Sequence, residues 1–257
     1  MRRLILITVL GAATLVGAGV AGGEQLRQGD LRLSFDGRFT PKTLPRDRDV
    51  PISVDITGSI ATSKGLRPPQ MRRMTVAVNR HGTLSTVGLP ACDPGRLEAT
   101  SAREALVRCR GSLVGKGRFF ANVDFPGLLF PVEGKMLGFA SRVGGKPAVA
   151  LHIYGASPVE VTVVLIFRIR YPSKGRFGTI LTTRLPKIAA DLGYVTDVSM
   201  TFGRTYRHRG KPRSFLSARC AAPEGFPMAF FTFAKGTFVF ANGQTLEPSL
   251  IRNCRVR

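Results

Sequence analysis

The side chains that could do chemistry in this chain are few and far apart. It holds three histidines, His81, His152 and His208. His81 sits in a turn, His152 in a strand pattern beside Tyr154, and His208 inside a run of arginines. An imidazole works as a general base only with a nucleophile and an orienting acid beside it. No G-x-S-x-G elbow, S-x-x-K set or H-E-x-x-H helix supplies such partners, so each histidine is read as a packed or surface residue. Carboxylates number 16 against 38 basic residues. Glycoside hydrolysis needs two of them facing across one bond. Asp124, Glu133 and Glu160 are candidates for such a pair, although each also reads as a solvated or capping group. The expectation is a chain with no catalytic residue, no metal and no cofactor.

Four cysteines remain: Cys92, Cys109, Cys220 and Cys254. A zinc site needs short spacings such as C-x2-C, which are absent. An even cysteine count in an exported chain favours disulfides. Three connectivities are possible, and nearest neighbours give Cys92–Cys109 and Cys220–Cys254. Two glycine-rich stretches, Val114–Arg118 and Lys174–Gly178, look loosely like phosphate cradles. Neither has a P-loop's spacing or a helix after it, and both are read as turns.

Charge is the most pronounced feature. The formal net charge is +22, with 29 Arg and 9 Lys. Basic clusters occur at 38–48, 67–73, 204–213 and 252–257. The densest places Arg204, Arg207, Arg209, Lys211 and Arg213 around a hairpin turn at Gly210, where guanidinium groups could grip phosphates or carboxylates. These five are the candidate anion-binding residues. An arginine-rich composition and a solubilising surface account for the same residues without a site.

Export narrows the partners. Met1-Arg2-Arg3 is followed by an apolar run, Leu4 to Val20, that ends in small residues at Gly19, Val20 and Ala21. That is a signal peptide's order of parts, with cleavage after Ala21; retention as an anchor is the alternative, since the run reaches the short edge of a membrane span. The predicted organisation is a signal peptide over 1–21, a polar arm or edge strand over 22–38, and a single β-rich domain over 39–257. Intracellular nucleic acid is then in the wrong compartment, and anionic envelope polymers or lipid headgroups are the expected counter-surfaces. The mature chain is expected to be soluble.

The elements that must position these residues are mostly strands. Leu31, Leu33 and Phe35 alternate, as do Ile52, Val54 and Ile56, and Met74, Val76 and Val78. Val159 to Arg170 is apolar on both faces and reads as a core strand. Further strands are predicted over 119–125, 136–140, 148–154, 197–206, 214–219, 228–234 and 237–241, with turns at Lys174-Gly175, Lys235-Gly236 and Asn242-Gly243. Asp93-Pro94 looks like a helix start, after which Ala102, Ala105, Leu106 and Cys109 share one face. A second short helix is predicted around Pro186 to Leu192. The sum is an antiparallel β-sandwich or barrel-like fold with one or two short helices, one of them bracketed by a disulfide.

Gly88-Leu89-Pro90-Ala91-Cys92 through Cys109, Val114-Gly115-Lys116-Gly117, Gly178-Thr179, Leu185-Pro186 and Ser214 to Cys220 together give a resemblance. Between about Leu84 and Cys254 the chain resembles a family of exported proteins of Gram-positive, high-GC bacteria with no assigned activity. The resemblance implies an extracytoplasmic location and the cysteine pairing above, and transfers no chemistry. The leading functional reading is a non-catalytic protein that associates with the anionic envelope. The alternatives are an envelope-directed hydrolase using dispersed carboxylates, and a carrier of an apolar ligand, suggested by Phe226, Phe230, Phe231, Phe233, Phe238 and Phe240.

Overall fold

The computed structural model describes residues 23–157, 160–188 and 191–257. The predicted signal peptide lies outside the described residues. In chain order the strands are β1 (Glu24–Gln28), β2 (Leu31–Thr40), β3 (Thr43–Leu44), β4 (Val50–Pro51), β5 (Ser53–Thr62), β6 (Met71–Asn79), β7 (Gly82–Leu84), β8 (Leu113–Phe125), β9 (Leu128–Val143), β10 (Lys146–Ser157), β11 (Val161–Arg170), β12 (Phe177–Arg184), β13 (Gly193–Phe202), β14 (Thr205–His208), β15 (Lys211–Ser214), β16 (Leu216–Ala218), β17 (Met228–Phe240), β18 (Thr245–Leu246) and β19 (Ser249–Val256). One α-helix, α1 (Ala102–Cys109), interrupts them.

Most strands form one sheet in the order β1-β2-β5-β13-β8-β9-β10-β11-β12-β6-β17-β19-β3. Every pairing along it is antiparallel except β19 with β3. The sheet curls until its two ends meet, as an open strand edge is costly to leave free. Across the seam, Arg252 of β19 donates Nε–H to the Gly37 carbonyl of β2 at 2.7 Å and pairs with Asp36. The Ser249 amide donates to Glu24 Oε2 at 2.8 Å, and Gln244 Nε2 donates to the Gln28 carbonyl at 3.0 Å. The result is barrel-like, and the alternation seen in the sequence follows from it. Leu31, Leu33, Phe35 and Phe39 are buried in the interior while their neighbours face out.

Two-sided burial of β11 has a specific cause. Val163, Leu165 and Phe167 join an interior cluster with Met136, Leu151 and Met200. Val164 and Ile166 face the other way and pack beneath α1, against Leu137, Phe139, Ala150 and Ala105. The helix therefore covers the outside of β9–β11. Its start differs from the one expected. Asp93 caps only a short 3-10 turn, Pro94–Arg96, and the chain breaks at Ala99, where φ is 48°. Ser101 then caps α1 with a reciprocal capping box to Glu104, a Ser-x-x-Glu spacing that the sequence carries.

Both disulfides join the nearest cysteines, Cys92–Cys109 and Cys220–Cys254. The first ties α1 to the segment before it. The second ties β19 to the chain after β16. Two expected turns are instead strand interior. Val114–Arg118 lies within β8, and Lys235-Gly236 within β17. Their glycines serve close packing, because a Cβ at Gly115 would meet the Phe202 ring at 2.5 Å and one at Gly236 would meet the Phe238 ring at 2.5 Å. Around 186–192, residues 189 and 190 lie outside the described residues and the remainder contains no α-helix; Asp191 has φ 71°. No described helix is long and apolar enough to cross a membrane.

Candidate functional site

Inward-facing side chains do not fill the barrel. They enclose a cavity of about 310 Å³ that runs along the interior. Its lining comes from β2, β5, β6, β9–β13, β17 and β19, through residues such as Phe35, Ile56, Val76, Leu151, Leu165, Met200 and Phe233. The lining contains no Asp or Glu, and its ionisable side chains are His81, Arg219 and Tyr194. A chamber of this kind can hold apolar matter and lacks the paired carboxylates of a hydrolase. Asp124, Glu133 and Glu160 all lie outside the lining. Glu160 accepts a hydrogen bond from the Tyr154 hydroxyl at 2.9 Å, and Glu133 is exposed on β9.

A second, more open cavity of about 500 Å³ adjoins the first. It arises because β17 pairs with β6 only from Ala234, opposite Val78, so the residues of β17 before it run past the end of β6. Asn79, the last residue of β6, is buried and bridges the gap by donating Nδ2–H to the Thr232 carbonyl at 2.8 Å. Its Oδ1 accepts the His81 amide at 2.9 Å and fixes the turn that follows. Asn79, His81, Arg219 and Phe231 line both cavities. The wall of the outer one is completed by Arg176, Ala221, Ala229, Phe230, Thr232 and Ile251.

Basic groups dominate this opening. Arg80 clamps the β11–β12 loop, donating to the Gly175 and Ser173 carbonyls at 2.6 and 3.1 Å. Arg176, the next residue of that loop, makes only a long 3.4 Å contact with Thr232 Oγ1. Arg219 pairs with Asp49 at 3.0 Å. Burial pushes the His81 imidazole below its usual range, and the Arg219 and Arg80 charges push it further, against the opposing pull of Asp49.

His152 belongs to a different environment. It is fully buried beneath the Thr100 segment, with Nε2 2.9 Å from the Thr100 carbonyl and 3.1 Å from Thr100 Oγ1. Burial lowers its pKa, outweighing the raising effect of the Thr100 bond. It is a packed histidine on the outer face of β10, whose neighbours Leu151 and Ile153 line the chamber on the other face.

The five basic candidates lie on one hairpin, β14–β15, turning at Arg209 and Gly210 with φ 51° and 75°. One face docks on the loop before Cys92: the Tyr206 hydroxyl donates to the Val87 carbonyl at 2.5 Å, and the His208 ring sits against Gly88, where any Cβ would collide. Arg204 is committed to structure, donating to the Gly111 and Leu113 carbonyls at 2.6 and 2.9 Å. Arg207, Arg209, Lys211 and Arg213 are exposed and make no ion pair among the described residues.

Sequence reasoning found the hairpin and missed the opening beside β6. Asn79, His81, Arg176 and Arg219 are scattered over 140 positions, and only the curl of the sheet gathers them. Comparison with family models, with curated proteins and with solved structures returns no match for this chain.

Proposed function

We propose that the protein binds and carries an elongated apolar ligand inside its barrel. The supporting observation is the 310 Å³ chamber with its apolar lining. Protein interiors are close-packed and rarely keep voids larger than a water molecule. An apolar void of this size is unfavourable for water and favourable for a hydrocarbon. Phe231, Phe233 and Phe238 contribute to both the core packing and the chamber wall. The two disulfides suit an oxidising compartment, so the carrier would work outside the reducing cytosol.

A series of straight-chain primary alcohols, competing with Nile red for the purified chain, tests this. Affinity should rise about fourfold per added methylene, the equivalent of about 0.8 kcal/mol of burial, and level off once the chain outgrows the chamber. Val76→Phe, which intrudes on the chamber, should weaken the whole series. A series without chain-length dependence, or one that Val76→Phe leaves untouched, would refute the carrier.

The exposed bases of the β14–β15 hairpin favour a second reading, in which the tip holds the protein against an anionic envelope polymer. Retention on such a polymer should fall steeply with salt. The variant combining Arg207→Ala, Arg209→Ala and Arg213→Ala should elute early. Identical elution of variant and parent would reduce the hairpin's charge to diffuse surface.

A further inference from the structure

We propose that the carried ligand is an amphiphile with an acidic head group, its tail in the chamber and its carboxylate or phosphate at Arg176, Arg219 and His81. This rests on the carrier reading and adds the chemistry of the ligand's polar end. The two cavities are neighbours that share Asn79, His81, Arg219 and Phe231 in their walls. A chain lying along the interior and leaving past Phe231 would bring its head among the two guanidinium groups. The outer cavity carries two Arg and one His in its wall and no Asp or Glu.

The neighbouring charges leave this excess standing. Among the described residues Asp49 is the one carboxylate that pairs with Arg219, and it takes a single nitrogen, Nη1. Thr83 already donates to the other Asp49 oxygen at 2.8 Å. Among the described residues the Arg176 side chain has only its 3.4 Å hydroxyl contact. Buried polar atoms in folded proteins are nearly always paired, yet two adjacent residues here are not: Arg80 Nη2 and His81 Nδ1 are both buried without a hydrogen-bond partner. His81 faces the cavity directly, while Arg80 supports the loop that presents Arg176. An anionic head group offers acceptors to the Arg176 and Arg219 guanidinium groups and, in the Nδ1–H tautomer, to His81.

The apolar part of the rim argues for an amphiphile over a free anion. Phe230 and Ile251 line the outer cavity and are 71% and 62% exposed. A free phosphate gains nothing from those side chains. A chain whose first carbons cross the rim covers them.

The test uses dodecanoate, methyl dodecanoate, dodecyl phosphate and inorganic phosphate as competitors of Nile red, at pH 8 and moderate salt, on the full chain. Dodecanoate and dodecyl phosphate should bind at least about tenfold more tightly than the ester, as expected for charge-assisted hydrogen bonds at a partly shielded site. Inorganic phosphate should displace nothing. Arg176→Gln combined with Arg219→Gln should bring both acids down to the ester's affinity, and ester binding by Arg176→Gln alone, a position outside the chamber lining, serves as the control for an intact fold. Arg176→Gln alone, which spares the Asp49 pair, should move both acids several-fold in the same direction. Equal affinity of acid and ester in the parent chain, or equal losses for both in the variant, would overturn the head-group site while the carrier reading stands. Competition by inorganic phosphate with dodecyl phosphate at comparable affinity would overturn the amphiphile in favour of a free-anion site. If neither ester nor acids displace Nile red, the chamber reading and this proposal fall together.

Discussion

Replacing Arg252 by Met should loosen the seam that closes the barrel. The Arg252 side chain is 9% exposed and reaches from β19 to β2, donating to the Gly37 carbonyl and pairing with Asp36. Methionine keeps much of the aliphatic stem and none of the donors. Leaving the Gly37 carbonyl without this partner costs about 1–3 kcal/mol where water cannot replace it. The Asp36 side chain is 38% exposed, so solvent recovers most of that charge and the pair adds only about 0.5–1 kcal/mol. Two terms act in the opposite direction. Removing a buried cation relieves its own desolvation. It also relieves Lys42, whose pKa is lowered by burial first and then by the Arg252 and Arg38 charges. The net expectation is a loss of about 2 kcal/mol, or about 4–8 °C in Tm for a domain of this size. Urea unfolding of Arg252→Met, Asp36→Asn and the double variant measures it, with a coupling of about 1 kcal/mol expected between the two sites. An unchanged midpoint in Arg252→Met would show that the Arg252 contacts do not hold the seam, and strict additivity in the double variant would show that the Arg252–Asp36 pair contributes nothing to it.

Gly117→Ala should be among the most damaging single substitutions, because its Cβ would fall on the Ser199 carbonyl oxygen and 2.5 Å from Met200 Sδ. A loss of at least about 3 kcal/mol, or failure to fold, is expected; wild-type-like unfolding would contradict the tight β8–β13 approach. His152 predicts acid sensitivity. Its folded pKa lies below the unfolded one of about 6.5, so its stabilisation is complete above that pH and is lost as the pH falls through 6.5 toward the folded value. The drop in unfolding free energy between pH 7.5 and 5 should therefore be smaller in His152→Gln than in the parent, and equal slopes would reject the assignment. Cys92→Ala with Cys109→Ala opens a loop with a sequence separation of 17 and should cost about 3 kcal/mol by the chain-entropy argument. Thermal unfolding of that variant checks the figure, and reductant should then add the somewhat larger effect, about 4 kcal/mol by the same argument, of losing Cys220–Cys254, whose separation is 34.

Period-two alternation made the strands legible where one face is buried and the other wet, as in β2. It was less informative about glycine. Gly115, Gly117 and Gly236 look like turn residues in one dimension, and they are strand residues because a ring or a neighbouring backbone occupies the space of their missing side chains. Lys174-Gly175 and Asn242-Gly243, with glycine φ of 92° and 83°, are turns because nothing presses on them and their φ demands glycine. The two cases differ only in tertiary surroundings, which sequence pattern does not carry. The helix start at Ser101 was present as Ser-x-x-Glu and was masked by the stronger-looking Asp93-Pro94, whose cap residue lies eight positions earlier.

The candidate site was legible in part, and the division follows from how charge and curvature act. Clustered arginines such as those of the β14–β15 hairpin are conspicuous because they are neighbours in sequence, yet a two-stranded tip holds them apart on solvent-exposed faces, where each is hydrated and screened. The phenylalanines of β17 read equally well as ordinary core. What separates core from chamber is whether opposing strands approach closely enough to interdigitate, and that is fixed by how the whole sheet curls between β1 and β3. The same curl carries Arg219, from the segment after β16, to the end of β6 beside His81, and places Arg176 across from both. Two guanidinium groups and an imidazole from three separate segments converge on one opening, where one anion can meet both charges while its tail gains apolar burial that salt does not screen; the hairpin spreads its four bases along two exposed strands. On that argument, adding salt should weaken retention through the hairpin far more than it weakens dodecanoate binding at the opening. Measuring both on one preparation between 50 and 500 mM salt separates the two sites, and parallel losses would show that the opening is as solvated as the hairpin.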